Sequence, residues 1–411
     1  MNSVVHPVSR PLNDVDGKPP LHNEIQLCAA ALSELPRMTT ARLSGLLRRW
    51  SSIEALRAIR EGDQEILDVL DSCRDVAQDL ARWRSAANRV SLPSFSARYQ
   101  RANVAIWIHP GEAETGALLG NDPLWPRSIA QRFADDEECP PVLFTRGDVR
   151  ALERPRVAIV GTRDPTNVGR AFAGQLGSEL ASHGVSVVSG LALGIDTFAH
   201  TGALRHDGSK PIAVVGTGLD VVYPRSSKQL WDRVAQQGLL ISERPLGSPP
   251  LPMAFPARNR LIAQLGQVLV VVESRAKGGS LITAERAFDR GRPVLAVPGS
   301  PLIEQSAGTN ALLRGAVGEQ RAMACLDVGD VLALLQLQRV EQQSFQELRE
   351  TPSPSALSLL AVMDFGGWNV GRLAQISRRS LIEVTSDLLQ LERSGWVERV
   401  EGRWQRKVGN L

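Results

Sequence analysis

Three hydrophobic patterns follow one another along the chain, and the first is helical. From Glu24 to about Val90, apolar residues such as Leu27 and Ala31 recur at helical spacing in short bursts, with an early break at Pro36. This pattern predicts a small helical module. The next stretch, from residue 96 to 141, contains several prolines and tryptophans and no clear period. We expect an irregular connecting region there, tied down onto the domain that follows.

The second pattern is a series of short apolar runs that alternate with helix-length segments between Val157 and about Val317. Such alternation is typical of a parallel sheet covered by helices on both faces, so it predicts a doubly wound α/β domain. Each run is followed by glycine, serine or proline, where a loop has to form. The six predicted strands are Val157–Val160, Val185–Val188, Pro211–Val215, Leu239–Ile241, Val268–Val272 and Val294–Val297.

The third pattern begins after a further helical stretch and a polar linker at residues 342–354. Helices are predicted at Leu357–Met363, Val370–Ala374 and Ser380–Ser394, followed by alternation around Glu401-Gly402 that indicates a hairpin. Helix, turn, helix and hairpin is the order of a winged-helix domain.

Composition limits the classes of protein that this chain can belong to. Its 411 residues suggest two or three domains at roughly 100 to 200 residues each, and 43% hydrophobic and 22% charged residues are ordinary for a globular protein. No run approaches ~18 apolar residues and the first 20 residues lack a secretory core, so we expect a cytoplasmic protein with no membrane contact and a flexible leader at residues 1–20. The net charge of +3 means that a nucleic-acid surface would need local clustering of arginine.

The four cysteines give no sign of a metal site or a disulfide framework. Cys28, Cys73, Cys139 and Cys325 lie far apart without a C-x-x-C pair. Reduced thiols are the favoured interpretation, and no metal or cofactor is expected.

Glycine-rich loops follow the predicted strands, at the edge where open α/β sheets bind ligands. In the first, Gly161 and Arg163 precede a predicted helix start, a combination suited to a phosphate group. A structural turn with an exposed arginine is an equally good interpretation of this loop alone. A G-x-G-x-x-G fingerprint and a Walker G-x-x-x-x-G-K-[ST] motif are both absent from the sequence, which disfavours dinucleotide binding and triphosphate chemistry.

The second loop contains Ser189, Gly190 and Gly194, and it leads into Asp196 and His200, a carboxylate and an imidazole four residues apart. We favour a structural role for this pair, because an aspartate at a helix start binds free amides and no nucleophile accompanies the histidine.

Two further loops combine arginine or lysine with small residues. One is Arg258-Asn259-Arg260, and the other contains Lys277, Gly279 and Ser280. Guanidinium groups and backbone amides suit a polyanion such as single-stranded nucleic acid. Ion pairing inside the fold is plausible for one of the two arginines and less so for both.

Taken together, the segments of this region resemble those of the DNA-processing protein A family, DprA or Smf. The matching segments, in order, are GTR at Gly161, SGLALGIDTFAH at Ser189, GTGLDVVYP at Gly216, ISERPLG at Ile241, FPARNRLIA at Phe255, GGSLITA at Gly278, AVPG at Ala296 and GTN at Gly308. The flanking parts resemble the family more loosely, as a SAM-like domain and a winged-helix domain.

The resemblance implies a Rossmann-like homodimer that binds single-stranded DNA, protects incoming strands during natural transformation and helps to load the RecA recombinase, without a cofactor or a catalysed reaction. It also implies domains at 21–95 (SAM-like), 96–341 (Rossmann-like) and 355–411 (winged helix). The sequence departs from the family at Leu193, where members often carry a basic or polar residue, and at Gln264-Leu265-Gly266. If Leu193 removes a cation, binding depends more on Arg163 and on the Arg258-Asn259-Arg260 cluster. The positions expected in the DNA pocket are Gly161, Arg163, Ser189, Gly190, Gly194, Arg258, Asn259, Arg260, Lys277, Gly279 and Ser280.

Two other functions fit parts of the sequence. Rossmann-like proteins of the lysine-decarboxylase-like group hydrolyse nucleoside monophosphates with a P-G-G-x-G-T-x-x-E motif, which Lys277 to Glu285 matches in part, with Glu285 as the carboxylate. A winged-helix transcriptional regulator would use Arg372, Arg378 and Arg379, although acidic neighbours weaken that interpretation. The third unit could bind DNA, bind a protein or pack against the core.

Overall fold

A computed structural model describes the chain at residues 22–70, 73, 75–108, 139–315, 320–336, 352–363, 368–400 and 402–406. It divides into two compact units with a boundary between Val331 and Leu332. The predicted leader at 1–20 and most of the predicted linker lie outside the described residues. Within the described residues, no helix has the length and apolar character needed to cross a bilayer.

The first unit begins with a helical module whose helix starts are marked in the sequence. Asn23 and Ser51 each form a reciprocal capping box with the residue three positions later. The buried side chains of Leu46, Ile59 and Trp83 pack between the helices. The six helices are α1 (Glu24–Ser33), α2 (Thr40–Arg49), α3 (Ser52–Glu61), α4 (Glu65–Val69), α5 (Val76–Ala87) and α6 (Leu92–Arg101).

A nine-stranded, mostly parallel sheet forms the centre of the first unit, so the prediction of an α/β fold is confirmed. The spatial order is β1-β2-β6-β5-β4-β3-β7-β8-β9, and β3 to β9 are parallel. All six predicted strands are present within one residue or two. The strands are β1 (Ala105–Ile108), β2 (Val142–Gly147), β3 (Arg156–Val160), β4 (Ser186–Ser189), β5 (Ile212–Val214), β6 (Leu239–Ser242), β7 (Val268–Val271), β8 (Val294–Ala296) and β9 (Met323–Ala324).

The prediction of irregular structure around Tyr99 and Ile106 is wrong. Tyr99 lies on α6 and Ile106 on β1, which pairs antiparallel with β2 at the edge of the sheet. The Tyr99 ring stacks on Phe144 of β2 with ring centroids 5.7 Å apart, and both side chains are fully buried. The helical module and the sheet therefore share one hydrophobic core. Residues 109–138, the remainder of this stretch, lie outside the described residues.

Helices connect the parallel strands, as crossovers between parallel neighbours require. Helices α7 and α8 pack against each other, and so do α10 and α11. The helices are α7 (Asn167–Ser182), α8 (Ile195–Ala203), α9 (Lys228–Gln237), α10 (Ala254–Leu265), α11 (Gly279–Asp289) and α12 (Ala307–Arg314), with short 3-10 turns at Val149–Glu153, Arg225–Ser227 and Glu304–Ser306. Residues 328–336 are also helical, as predicted after Val317.

Among the described residues from 352 onward, the second unit contains three helices and a hairpin in the predicted order. The elements are α13 (Pro354–Val362), α14 (Val370–Ser377), α15 (Leu381–Arg393), β10 (Val397–Val400) and β11 (Arg403–Arg406). A small core that includes Leu359, Leu388 and Trp404 lies between them.

Candidate nucleic-acid interface

The chain reverses its direction of travel across the sheet between β3 and β7. From β3 it proceeds through β4 and β5 to β6, and from β7 it proceeds the other way to β8 and β9. Val160 and Val271 are register partners at the carboxyl ends of these two strands. The loops after β3, β4 and β7 therefore meet at the topological switch point, which is the usual ligand site of an open α/β sheet.

Arg163 lies exposed in the loop after β3, next to an aromatic pair. Its guanidinium carbon is 6.0 Å from the centroid of the Phe255 ring. The Tyr223 ring lies against Phe255 with centroids 5.2 Å apart, and 43% of Tyr223 is exposed. A cation beside exposed aromatic rings can hold a phosphate while an unpaired base stacks on a ring. Tyr223 and Phe255 were not among the residues expected from the sequence, although both lie in segments that carry the family resemblance.

Close backbone approach holds the second loop against the first. Gly194 has φ +84°, and a Cβ there would lie 2.3 Å from the carbonyl oxygen of Thr162. The amide of Ile195 donates to that same oxygen at 3.2 Å. Glycine is therefore required at position 194, because φ is positive and a Cβ would overlap the Thr162 carbonyl. This close contact fixes the position of the loop that carries Arg163.

Arg258 lies beneath the second loop and points away from solvent. Its Nη1 donates to the carbonyl oxygens of Gly190, at 2.8 Å, and Val214. Burial lowers the pKa of its guanidinium to about 10, partly offset by the nearby Asp196 carboxylate. A Cβ on Gly190 would overlap the Arg258 guanidinium at 2.4 Å. Arg258 thus joins β4, β5 and α10 from inside the fold.

Asp196 and His200 are buried in the same layer. Asp196 accepts from the Gly190 amide at 3.1 Å, and burial raises the pKa of its carboxyl. His200 Nε2 lies 3.1 Å from the carbonyl oxygen of Ile212, and burial lowers the pKa of the ring to about 4. The hydroxyl of Ser189 donates to the Ile159 carbonyl at 2.6 Å, also out of solvent. These contacts are structural, and we call Arg258, Asp196, His200 and Ser189 the buried layer.

Arg260 takes a different direction from Arg258. It pairs with Glu243, and its side chain is only 12% exposed. Together with Arg48 of α2, it lines a cavity of about 760 Å³ beside the helical module. The prediction of a loop at Arg258-Asn259-Arg260 is wrong, because these residues lie on α10. Both arginines are engaged inside the fold, whereas the sequence favoured this for only one of them. Asn259, between them in the chain, is half-buried.

The amino terminus of α7 is already occupied by a carboxylate of the protein. Glu273, which follows β7, accepts from the amide of Thr166 at 2.9 Å and from its hydroxyl at 2.5 Å. Gly169 leaves room for this group, since a Cβ there would lie 2.4 Å from the carboxylate. A helix start that usually attracts phosphate is here neutralised by an internal anion.

The amino terminus of α11 is open by comparison. Its N-cap residue, Gly278, supplies no side-chain hydrogen bond, and a Cβ on Gly279 would meet nothing within 4 Å. Lys277 is exposed immediately before it, while Ser280 is buried and donates to Ser274 at 2.9 Å. Free amides and a lysine at a helix start form a suitable place for an anion. We call Arg163, Tyr223, Phe255, Lys277 and Gly279 the exposed rim.

Three further residues bear on the departures from the family pattern and on the hydrolase interpretation. Leu193 is 50% exposed in the second loop, whereas Gln264 is buried on α10. Glu285 is exposed on α11, past the first turn. No group of three or more potential metal ligands occurs among the described residues.

Comparison with known proteins identifies relatives for most of the chain. The family described as DNA recombination-mediator protein A matches residues 117–336. Protein Smf of Synechocystis is 34% identical over 322 residues, which cover 71% of this chain and 80% of the relative. DNA processing protein DprA of Streptococcus pneumoniae is 45% identical over 193 residues, which cover 47% and 66% of the two chains.

A solved structure supports the same relationship at the level of the fold. The X-ray structure of DprA from Streptococcus pneumoniae matches with a TM-score of 0.59 and 31% identity, over 76% of this chain and 98% of the other. This match supports the prediction of a Rossmann-like core.

Proposed function

We propose, from the premise that this chain belongs to the DNA recombination-mediator protein A family, that it binds single-stranded DNA at the exposed rim and acts on DNA in transformation and recombination. The observation that carries the proposal is Arg163 beside the Tyr223–Phe255 pair at the switch point of the sheet. A cation next to aromatic rings suits a strand whose bases are unpaired, because duplex bases are already stacked on one another.

The rim is proposed to bind the strand through two kinds of contact, with phosphates and with a base. Arg163 and Lys277 attract phosphates, and the amides at the start of α11, around Gly279, hold phosphate oxygens without reading the sequence. Gly161 acts through close packing, because a Cβ there would lie 2.5 Å from the Ile195 side chain. The neighbouring Thr162 amide already donates to the carbonyl oxygen of Glu273. Tyr223 and Phe255 receive a base. Asn259 is proposed to contribute a polar contact, and the exposed Leu193 supplies apolar surface where family members often have a polar group.

The buried layer supports the rim from below. Gly190, Gly194 and Ser189 let the second loop pack closely, and Arg258 ties that loop to β5. Arg258 is therefore proposed to act on DNA binding through the loop, and Arg260 through the pair that joins α10 to Glu243, the residue after β6. The residues expected in the pocket therefore divide into those that touch the strand and those that position it, and the buried Ser280, which donates to Ser274, belongs to the second group.

The remaining features of the family are proposed for this chain as well. They are assembly as a homodimer, protection of incoming strands and loading of RecA in the cytoplasm, with no reaction catalysed. Helix order supports a SAM-like module at 21–95 and a winged-helix domain at 355–411 flanking the Rossmann-like domain at 96–341. The burial of Asp196 and His200 and the exposed position of Glu285 favour a binding role over nucleotide hydrolysis.

Fluorescence anisotropy with labelled oligonucleotides tests the proposal. The intact protein should prefer a single strand to a duplex of the same sequence. Arg163→Ala should weaken binding to every sequence and reduce the salt slope by about 0.7, as expected for the loss of one phosphate contact on a single strand. The matched control is Arg205→Ala, which removes an exposed arginine that follows α8, at the opposite edge of the sheet.

The control variant should bind with unchanged affinity and salt slope. If Arg163→Ala also leaves both unchanged while circular dichroism shows an intact fold, the strand does not bind at the rim. A loss confined to one oligonucleotide sequence would indicate base readout and would contradict the proposed backbone contact.

A further inference from the structure

The hairpin of the second unit carries a row of paired cationic and aromatic side chains. Trp368, which precedes α14, forms a bridge to Trp404 of β11, with amide-to-carbonyl distances of 2.7 and 2.8 Å in the two directions. Trp404 is in turn the register partner of Arg399 on β10. Residues directly opposite one another in antiparallel pairs project from the same face. Arg399, Trp404 and Trp368 therefore lie side by side across the hairpin.

A second arginine completes the row at its other end. The guanidinium carbon of Arg372 lies 5.5 Å from the centroid of the Trp368 ring, and that of Arg399 lies 5.8 Å from the Trp404 ring. Both arginines are exposed, whereas Trp404 is buried and Trp368 half-buried. Stacking on an indole restricts a guanidinium and leaves its edge N–H groups free to donate. We call Arg372, Trp368, Trp404 and Arg399 the Arg–Trp row.

The charges of the row are not neutralised within the part of the unit that the structure describes. The ion pair found there joins Arg379 to Asp387 at 2.6 Å, and it involves neither Arg372 nor Arg399. The α-carbons of Arg399 and Trp368 are separated by two strand spacings, about 10 Å. Each guanidinium stacks on a different indole of the row, so the two arginines present separate sets of donors. Such a surface suits the repeated phosphates of a nucleic-acid backbone better than one small anion.

Helix α15, which follows α14 in the chain, offers a contrasting surface. Ile382 is 82% exposed, Leu389 lies on the same helical face seven residues later, and Glu383 is exposed beside them. An apolar and acidic helix is poorly suited to the anionic groove of a duplex. Arg379, one of the arginines expected to support a regulator, is held by Asp387 and by the carbonyl of Ser355.

We infer that the second unit binds the sugar–phosphate backbone of nucleic acid through the Arg–Trp row, with the hairpin side and not α15 as the contact. The surface does not discriminate between base sequences, because its arginines contact phosphates and its indoles lie beneath the guanidinium groups. It is a binding site additional to the rim, in the other compact unit, and does not require the rim to bind DNA.

The test uses the full chain with the rim disabled by Arg163→Ala, so that residual binding reports on the second unit. In this background, Arg372→Ala with Arg399→Ala should reduce the salt slope of residual binding by about 1.4 on a single strand or about 1.8 on a duplex, for two lost phosphate contacts. Anisotropy on both oligonucleotides then shows which form the row binds.

The matched control removes two other exposed arginines of the same unit. Arg393 ends α15, and Arg403 is the register partner of Val400, on the face of the hairpin opposite to Arg399. Arg393→Ala with Arg403→Ala should leave the slope unchanged. The inference is wrong if the two pairs of substitutions reduce the salt slope equally, or if Arg372→Ala with Arg399→Ala does not reduce it. Replacement of Arg372 and Arg399 by glutamine repeats the measurement with less change in side-chain volume.

The same experiment separates this inference from the proposed function. If Arg163→Ala does not change DNA binding but Arg372→Ala with Arg399→Ala does, the strand does not bind at the rim. The Arg–Trp row then remains a binding site. If residual binding in the Arg163→Ala background is absent on both oligonucleotides, the row binds no nucleic acid, and a protein partner becomes the alternative for this face.

Discussion

The exposed rim and the buried layer each contain one arginine, and the two arginines have different surroundings. Arg258 is buried, donates to two carbonyl oxygens and lies beside Asp196, so its guanidinium is held within the fold. Arg163 contacts the Phe255 ring and remains exposed. An arginine near a ligand site is therefore available to the ligand only where the fold supplies no internal acceptor for it.

The largest expected effect concerns the stability of the buried layer. Arg258→Ala leaves a buried carboxylate without its nearby cation and leaves two carbonyls without a donor, so the free energy of unfolding should fall by about 3–5 kcal/mol. Arg163→Ala, as the exposed counterpart, should change it by less than about 0.5 kcal/mol. Urea denaturation of both variants measures the difference. Equal stability of the two would show that the distinction between rim and layer is false.

The second effect is a pH dependence that the rim should lack. Burial lowers the pKa of His200 to about 4, so the native state keeps the ring neutral where the unfolded chain, with a pKa near 6.5, binds a proton. The free energy of unfolding should therefore decrease as pH falls from 6.5 to 4, by about 3 kcal/mol for one ring.

Comparison with His200→Gln isolates this contribution. Burial raises the pKa of Asp196, and its contribution has the opposite sign in acid, but that contribution is present in both proteins. Parallel stability curves for the two proteins between pH 6.5 and 4 would mean that His200 is accessible to protons in the native state.

The third and smallest effect concerns stacking at the rim. Phe255→Leu keeps apolar volume but removes the ring face, and base–aromatic stacking contributes about 1–3 kcal/mol per base. Single-strand affinity should fall by roughly 5- to 150-fold, while Tyr223→Phe, which retains its ring, should bind normally. Anisotropy at fixed salt measures both. Unchanged affinity in Phe255→Leu would remove the aromatic pair from the site.

The sequence predicted the centre of the sheet better than its edges. Strands such as β3 and β7 are buried on both faces and appear as continuous apolar runs. The short antiparallel strand β1 and the two-residue β9 have too few residues for such a run, and their pairing depends on distant partners.

The candidate site was predictable as a set of loops but not as a set of roles. The glycines and Arg163 follow strand ends, so their convergence follows from topology. The internal partners of Arg258 and Arg260, by contrast, come from strands and loops that only the folded chain brings together. An aromatic residue within a glycine- or arginine-rich segment was the available signal for Tyr223 and Phe255.

Photo-crosslinking tests the central claim most directly, because it reports where the strand lies. A single-stranded oligonucleotide carrying 5-iododeoxyuridine, irradiated with the full chain and analysed by mass spectrometry, should crosslink to Tyr223 or Phe255. Arg163→Ala should lose that crosslink, and Arg205→Ala should keep it. Crosslinks found only outside the first unit, with none at Tyr223 or Phe255, would contradict single-strand binding at the exposed rim.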